Sequence, residues 1–202
     1  MTMIEFVTIE VADVAAADAF YTAAFDLGGR VRVQASQEPT SGFRGFTLSL
    51  VASQPATVRS LIDSAADAGA TVLKPAAKSL WGYGGVVQAP DGTIWTVASS
   101  SKKDTGPATR QIDEFVLQLG VADVAASRQF YADRGFTVAK SYGRKYVELD
   151  TGPVGLTLNK RDALAKTTGV SAEGTGSHRL LIGSAAGDFT DPDGFTWKAP
   201  SD

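Results

Sequence analysis

The chain holds one histidine, His178, the residue type best suited to exchange a proton near neutral pH. Glu173, Asp188 and Lys198 lie close to it along the chain, although spacing alone does not bring them to the ring. Beside the general-base role stands a plainer one, in which the ring fills the half-polar start of a strand and bonds locally. Ser177 precedes His178, but neighbours on a strand point to opposite faces, so the pair is not a nucleophile and its base. No Gly-x-Ser-x-Gly elbow occurs. The absence of cysteine excludes disulfides, thiolate catalysis and thiolate-held metals. Trp81-Gly82-Tyr83-Gly84-Gly85 is glycine-rich but lacks the strand-before, helix-after setting of a phosphate loop. It reads as a turn carrying aromatic rings.

The elements that must position these residues follow from an internal repeat. Val11-Ala12-Asp13-Val14-Ala15-Ala16, then Phe20-Tyr21, recurs as Val121-Ala122-Asp123-Val124-Ala125-Ala126, then Phe130-Tyr131, shifted by 110. Each copy follows an alternating apolar run typical of a strand and begins with an aspartate suited to cap a helix. Ala16, Phe20 and Ala24 are expected on one face of the first helix. A second echo closes each half: Pro90-Asp91-Gly92 before Trp95, and Pro192-Asp193-Gly194 before Trp197. Asp91 and Asp193 are read as serving their own turns, Trp95 and Trp197 as core, and the two Phe-Tyr pairs as helix-to-sheet packing. Pro55 starts a second helix with a stripe of Val58, Leu61, Ile62, Ala65 and Ala66. Residues 37–42 read as a loop, and Lys74 to Lys78 as an irregular edge because Pro75 lacks an N–H.

The resulting organisation is a half over residues 1–99, a Ser/Lys/Gly/Pro linker over 100–110, and a half over 111–202. Hydrophobic content of 44% and charged content of 20% suit a globular chain with an ample core. A net charge of −3, from 19 basic and 22 acidic residues, argues against a nucleic-acid partner. No apolar run approaches a membrane span, no signal peptide is read at the N-terminus, and the lack of cysteine fits a cytoplasmic location.

A strand, a Val-x-Asp turn, a helix with Phe-Tyr, then a Pro-Asp-Gly turn and a closing strand, all repeated, resembles the vicinal oxygen chelate superfamily of glyoxalases, bleomycin resistance proteins and extradiol dioxygenases. The resemblance implies an α+β fold, with tandem glyoxalase-like halves built of βαβββ-type modules whose curved mixed or antiparallel sheets form a cup. The first half shortens its opening module and the second its closing one, so the halves are expected to pack on each other.

The resemblance also implies a divalent metal on the cup floor. The corresponding positions here are Phe6 and Val116 on opening strands, Thr47 and His178 mid-half, and Thr96 and Lys198 on closing strands. Only His178 can coordinate, whereas a catalytic site needs about three protein ligands. A register slip in the second opening strand brings Phe115, or Glu114 as one further ligand. The expectation is therefore no metal and no cofactor. The leading functional expectation is a small-molecule binding protein that sequesters an aromatic or apolar metabolite or antibiotic in a cup lined by Phe6, Phe46 and Val116. Trp81 and Tyr83 at the rim would stack on a flat ligand. The alternatives are a glyoxalase- or dioxygenase-type lyase or oxidoreductase with a degenerate metal site around a catalytic His178, and a purely structural or interaction protein. A homodimer is implied by resemblance alone.

Overall fold

The computed structural model describes residues 2–200. In chain order the elements are β1 (Ile4–Val11), α1 (Val14–Ala24), β2 (Val31–Ala35), β3 (Thr40–Gly42), β4 (Phe46–Val51), α2 (Pro55–Asp67), β5 (Thr71–Ser79), β6 (Gly82–Gln88), β7 (Ile94–Ser99), β8 (Glu114–Val121), α3 (Val124–Ala132), β9 (Thr137–Tyr142), β10 (Tyr146–Asp150), β11 (Gly155–Lys160), α4 (Arg161–Thr168), β12 (Gly174–Gly176), β13 (Leu180–Ser184), β14 (Phe189–Thr190) and β15 (Thr196–Lys198). The architecture is α+β. β1–α1–β2 is a shortened module, β4–α2–β5–β6–β7 and β8–α3–β9–β10–β11 are full ones, and β13, β14 and β15 make the second shortened one.

The two repeated aspartates act as read. The Asp13 carboxylate accepts from Ala16 N at 3.0 Å, and that of Asp123 from Ala125 N and Ala126 N. Each cap contributes about 1 kcal/mol to starting its helix. The buried stripe of α1 is Ala17, Phe20, Tyr21 and Ala24, so the apolar face begins at Ala17 and Ala16 is exposed. The loop expected at 37–42 ends in the short strand β3, which pairs with β12. Lys74 to Lys78 lies within β5, where the pairing with β6 shifts register between Val72 and Lys74 and again between Lys74 and Ala77, across Pro75. The irregularity accommodates the missing N–H without ending the strand.

Two compact units divide the chain, neither continuous in sequence. One joins Met1–Ala12, Gly28–Phe46 and Val116–Asp202, and the other joins Asp13–Leu27 with Thr47–Phe115. The second unit is a sheet in the order β5-β6-β7-β4, with α1 packed on α2, and α2 on β5, β6 and β7. Pro55 occupies the first turn of α2, and Val58, Leu61, Ile62 and Ala65 are buried. The segment expected as a linker is pinned to the start of this helix. Gln54 Oε1 accepts from Thr105 N and Gly106 N, its Nε2 donates to Pro107 O, and Asp104 meets Arg59 at 2.8 Å.

The first unit holds the sheet β14-β15-β13-β1-β2 and the run β8-β11-β10-β9. In the first of these the two shortened modules complete each other: β1 pairs antiparallel with β13, and β2 and β15 extend the sheet on either side. A shortened module alone would leave an open edge at β1 or β13, and the pairing removes both. α3 covers β9, β10 and β11 over buried Leu117, Leu119, Val147, Leu149, Leu156 and Leu158. Among the described residues no helix is long and apolar enough to cross a membrane.

Candidate functional site

His178 sits just before β13, in the left-hand neighbourhood of a strained residue: Arg179, which follows it, has φ 55. Its Nδ1 lies 2.6 Å from Arg44 O and its Nε2 3.0 Å from Asp193 O. The ring stacks on Phe195 at 4.0 Å between centroids. Both partners are carbonyl oxygens, so both nitrogens face acceptors and neither presents a lone pair to a metal or a substrate. A general base at this position would first have to release one of these bonds. His178→Ala should lower the unfolding free energy by about 2 kcal/mol through the loss of a ring N–H bond to a backbone carbonyl and of the ring contact with Phe195. Urea unfolding checks this, and an unchanged midpoint would deny the ring its bracing role.

The sheet faces that would hold a metal in the implied cup carry other chemistry. On β1 the Phe6 ring is sandwiched between the Arg32 guanidinium, 3.5 Å from its centroid, and Gly183. A Cβ at Gly183 would come within 2.4 Å of that ring, so glycine is what lets Phe6 lie flat on β13. Lys198 on β15 is paired with Asp188 at 2.8 Å, and Val116 on β8 stands beside Gly155 of β11. Thr47 is buried and Thr96 is half-buried. Among the described residues no group of three or more His, Asp or Glu side chains could hold a metal ion. The donor set therefore does not fit the three-ligand centre that the resemblance implies, and no chemical step is routed through one.

The remaining expected residues fall into different settings. Phe46 is 2% exposed and meets Phe195 edge-on at 6.5 Å, in line with the His178 stack. Tyr83 on β6 is half-buried, donates to Ala76 O at 3.3 Å and lies 5.6 Å from the Arg59 guanidinium. Trp81 is 86% exposed, at the turn between β5 and β6. Phe6, Phe46 and Val116 belong to the first unit, and Trp81 and Tyr83 to the second.

Sequence reasoning missed the face of β8, β11, β10 and β9 opposite α3. Register puts Gln118, Thr157, Glu148 and Lys140 in one row across the four strands. The next row brings Asn159, Tyr146 and Tyr142 together beside Gly120, and Val116 lies two residues before Gln118 on the same face. Asn159 Nδ2 donates to Thr157 Oγ1 at 3.0 Å, and the Tyr142 and Tyr146 rings are 6.0 Å apart. Tyr142 is 58% exposed, while Gln118, Asn159 and Glu148 are half-buried. The Tyr142 phenol, ahead of the Glu148 charge, raises the Lys140 pKa above that of an ordinary lysine. The signal for this face was alternation: polar residues at every second position of β10 and β11, with leucine or valine between.

Two further carboxylates lie at the closing turns. Asp91 accepts from Thr93 N at 2.7 Å and from the buried Tyr21 hydroxyl at 2.6 Å. In the other copy the turn is held by Asp191, which accepts from Asp193 N, Phe195 N and the Tyr131 hydroxyl. Asp193 reaches instead to Ala122 N and Ser127 Oγ. The expectation that Asp193 serves its own turn is thus corrected. Asp191 stands nearer the buried phenol and takes the backbone N–H groups as well.

This geometry defines a class of protein by its fold. The crystal structure of glyoxalase I from Zea mays superposes with a TM-score of 0.61 at 15% identity, over 98% of this chain and 91% of that one. A variant of the same maize enzyme gives 0.61 at 16% identity over 98% and 91%. No family model matches the sequence, and no curated protein matches it. The chain therefore shares the fold of glyoxalase I.

Proposed function

We propose that the chain is a metal-independent small-molecule binding protein of the glyoxalase fold, whose ligand is a planar aromatic molecule bearing hydrogen-bonding groups. The observation that carries this reading is the face of β8, β11, β10 and β9. There the paired rings of Tyr142 and Tyr146 adjoin a row of Gln118, Thr157 and Glu148, with Asn159 and Val116 beside it. Such a face offers stacking area together with a few directional polar groups, the usual make-up of a small-molecule site. Capture of a metabolite or an antibiotic is its biological use. Of the residues expected to line the ligand, Val116 lies on this face. Phe6 and Phe46 are covered by Arg32 and Phe195 and act as support. Trp81 and Tyr83, in the second unit, stay in the proposal as a separate aromatic contact of that unit.

A thermal-shift screen of small aromatic compounds, run with and without chelator, tests the reading. At least one compound should raise the melting temperature regardless of chelator. Its affinity should fall by about tenfold or more in Tyr146→Ala, as expected when a stacking ring is lost. Stabilisation by a divalent metal that disappears in His178→Ala, or aromatic binding unaltered in Tyr146→Ala and Thr157→Val, would refute it.

A further inference from the structure

The first unit also contains a cleft of about 190 Å³. Its walls are Phe43, Arg44, Arg161 and the segment Gly174 to His178. We infer that this cleft is a binding site for the oxyanion group, phosphate or carboxylate, of a small metabolite.

In a chain of net charge −3, the lining holds two arginines and a histidine and no carboxylate. The acidic residues next to the lining along the chain, Asp162 and Glu173, are exposed and outside it, and Asp162 accepts from Ala163 N. Asp193 serves Ala122 N and Ser127 Oγ, and Asp191 serves Tyr131 and its own turn. Arg161 is fixed by two carbonyls, with Nε on Ala172 O at 3.1 Å and Nη2 on Phe43 O at 2.7 Å, while the Phe43 ring lies 5.1 Å away. Carbonyls orient a guanidinium without cancelling its charge. The carbonyls occupy Nε and Nη2 and hold the planar cation at the cleft wall, where its charge favours an anion.

The backbone supports the same reading. Phe43 N donates to Glu173 O, and β12 pairs with β3 through Gly174 and Gly42. A Cβ at Gly174 would lie 2.1 Å from Phe43 O, and one at Gly176 2.2 Å from Pro39 O. Only glycine permits so close an approach, and the wall it forms is bare backbone with the Thr175 and Ser177 hydroxyls. Ser177 Oγ accepts from Arg179 N, which leaves its proton to donate. Arg179 itself is strained at φ 55 and anchored to Ser36 O and Glu38 O. Strain of this kind collects at functional sites, where the surrounding structure holds it. At ~30 Å³ for each water the volume equals about six waters, which suits a phosphate or carboxylate group with a few attached atoms.

The probes are sodium phosphate and sodium acetate, each compared with sodium chloride at equal ionic strength, read by melting temperature and calorimetric titration. One oxyanion should stabilise the protein beyond chloride, and the better of the two assigns the ligand to phosphoryl or carboxylate chemistry. Arg161→Lys, which keeps the charge and loses the fork, should weaken binding about tenfold. The Thr175→Val, Ser177→Ala double variant should weaken it several-fold with the fold intact, and it decides the matter if Arg161→Lys unfolds. Equal shifts in phosphate, acetate and chloride overturn the inference. So does oxyanion binding that the double variant leaves unchanged.

Discussion

Trp197→Ala should lower the unfolding free energy by about 3–5 kcal/mol, a large part of the ~5–15 kcal/mol typical of a folded domain. The indole is fully buried. It stacks on Phe189 at 5.1 Å and meets Phe136 at 5.3 Å and Tyr131 at 5.4 Å, so alanine leaves a cavity walled by rigid rings that collapse poorly into it. Trp95 is its counterpart in the other copy, fully buried against Phe25, Tyr21 and Phe115, and its alanine variant should behave alike. Trp81, 86% exposed, supplies the internal control: Trp81→Ala should stay within about 0.5 kcal/mol of the parent. Urea unfolding followed by far-ultraviolet circular dichroism reads all three. A loss below about 1 kcal/mol at Trp197 would mean that this ring cluster does not hold the core.

Local signals carried most of the architecture. The Asp13 and Asp123 caps, the proline-started α2 and the buried tryptophans were legible because each depends on neighbours within a few residues or on the repeat itself. What stayed hidden depends on register. Phe6 alternates as a cup-facing residue should, but nothing in β1 announces that Arg32 of β2 will lie on its ring and Gly183 of β13 beneath it. The oxyanion cleft draws on residues 43–44, 161 and 174–178, which come together only when β3 pairs with β12. The closing turns show the limit of the repeat. The helices repeat at a shift of 110, from Tyr21 to Tyr131, whereas the turns repeat at 102, from Asp91 to Asp193. The second copy is eight residues shorter between helix and turn, and its buried tyrosine meets a different carboxylate, Asp191.

Asp191→Ala should cost about 3 kcal/mol, because it strands the Tyr131 hydroxyl and the N–H groups of Asp193 and Phe195 in or near the core. Asp191→Asn keeps the shape and an acceptor, and should stay closer to the parent while changing how stability depends on pH. Burial raises the Asp191 pKa above its ordinary 3.8, against the hydrogen bonds from Tyr131 and Phe195 that lower it. Between these two pKa values the folded chain holds a proton that the unfolded chain has released, so stability from this group falls as pH rises through that window. The difference between parent and Asp191→Asn should therefore shift against the parent as pH rises above the ordinary carboxylate range. At the alkaline end the phenols act. Burial first, then the Asp191 charge, raises Tyr131 well above 10.0, and burial with Asp91 does the same for Tyr21. Above that pH the unfolded chain gives up phenol protons that the folded chain retains, so stability declines as pH rises, and Tyr131→Phe should remove its share of the decline. Urea titrations of parent, Asp191→Asn and Tyr131→Phe across both ranges decide the case. Parallel pH profiles for all three would mean that neither group is held in the environment described.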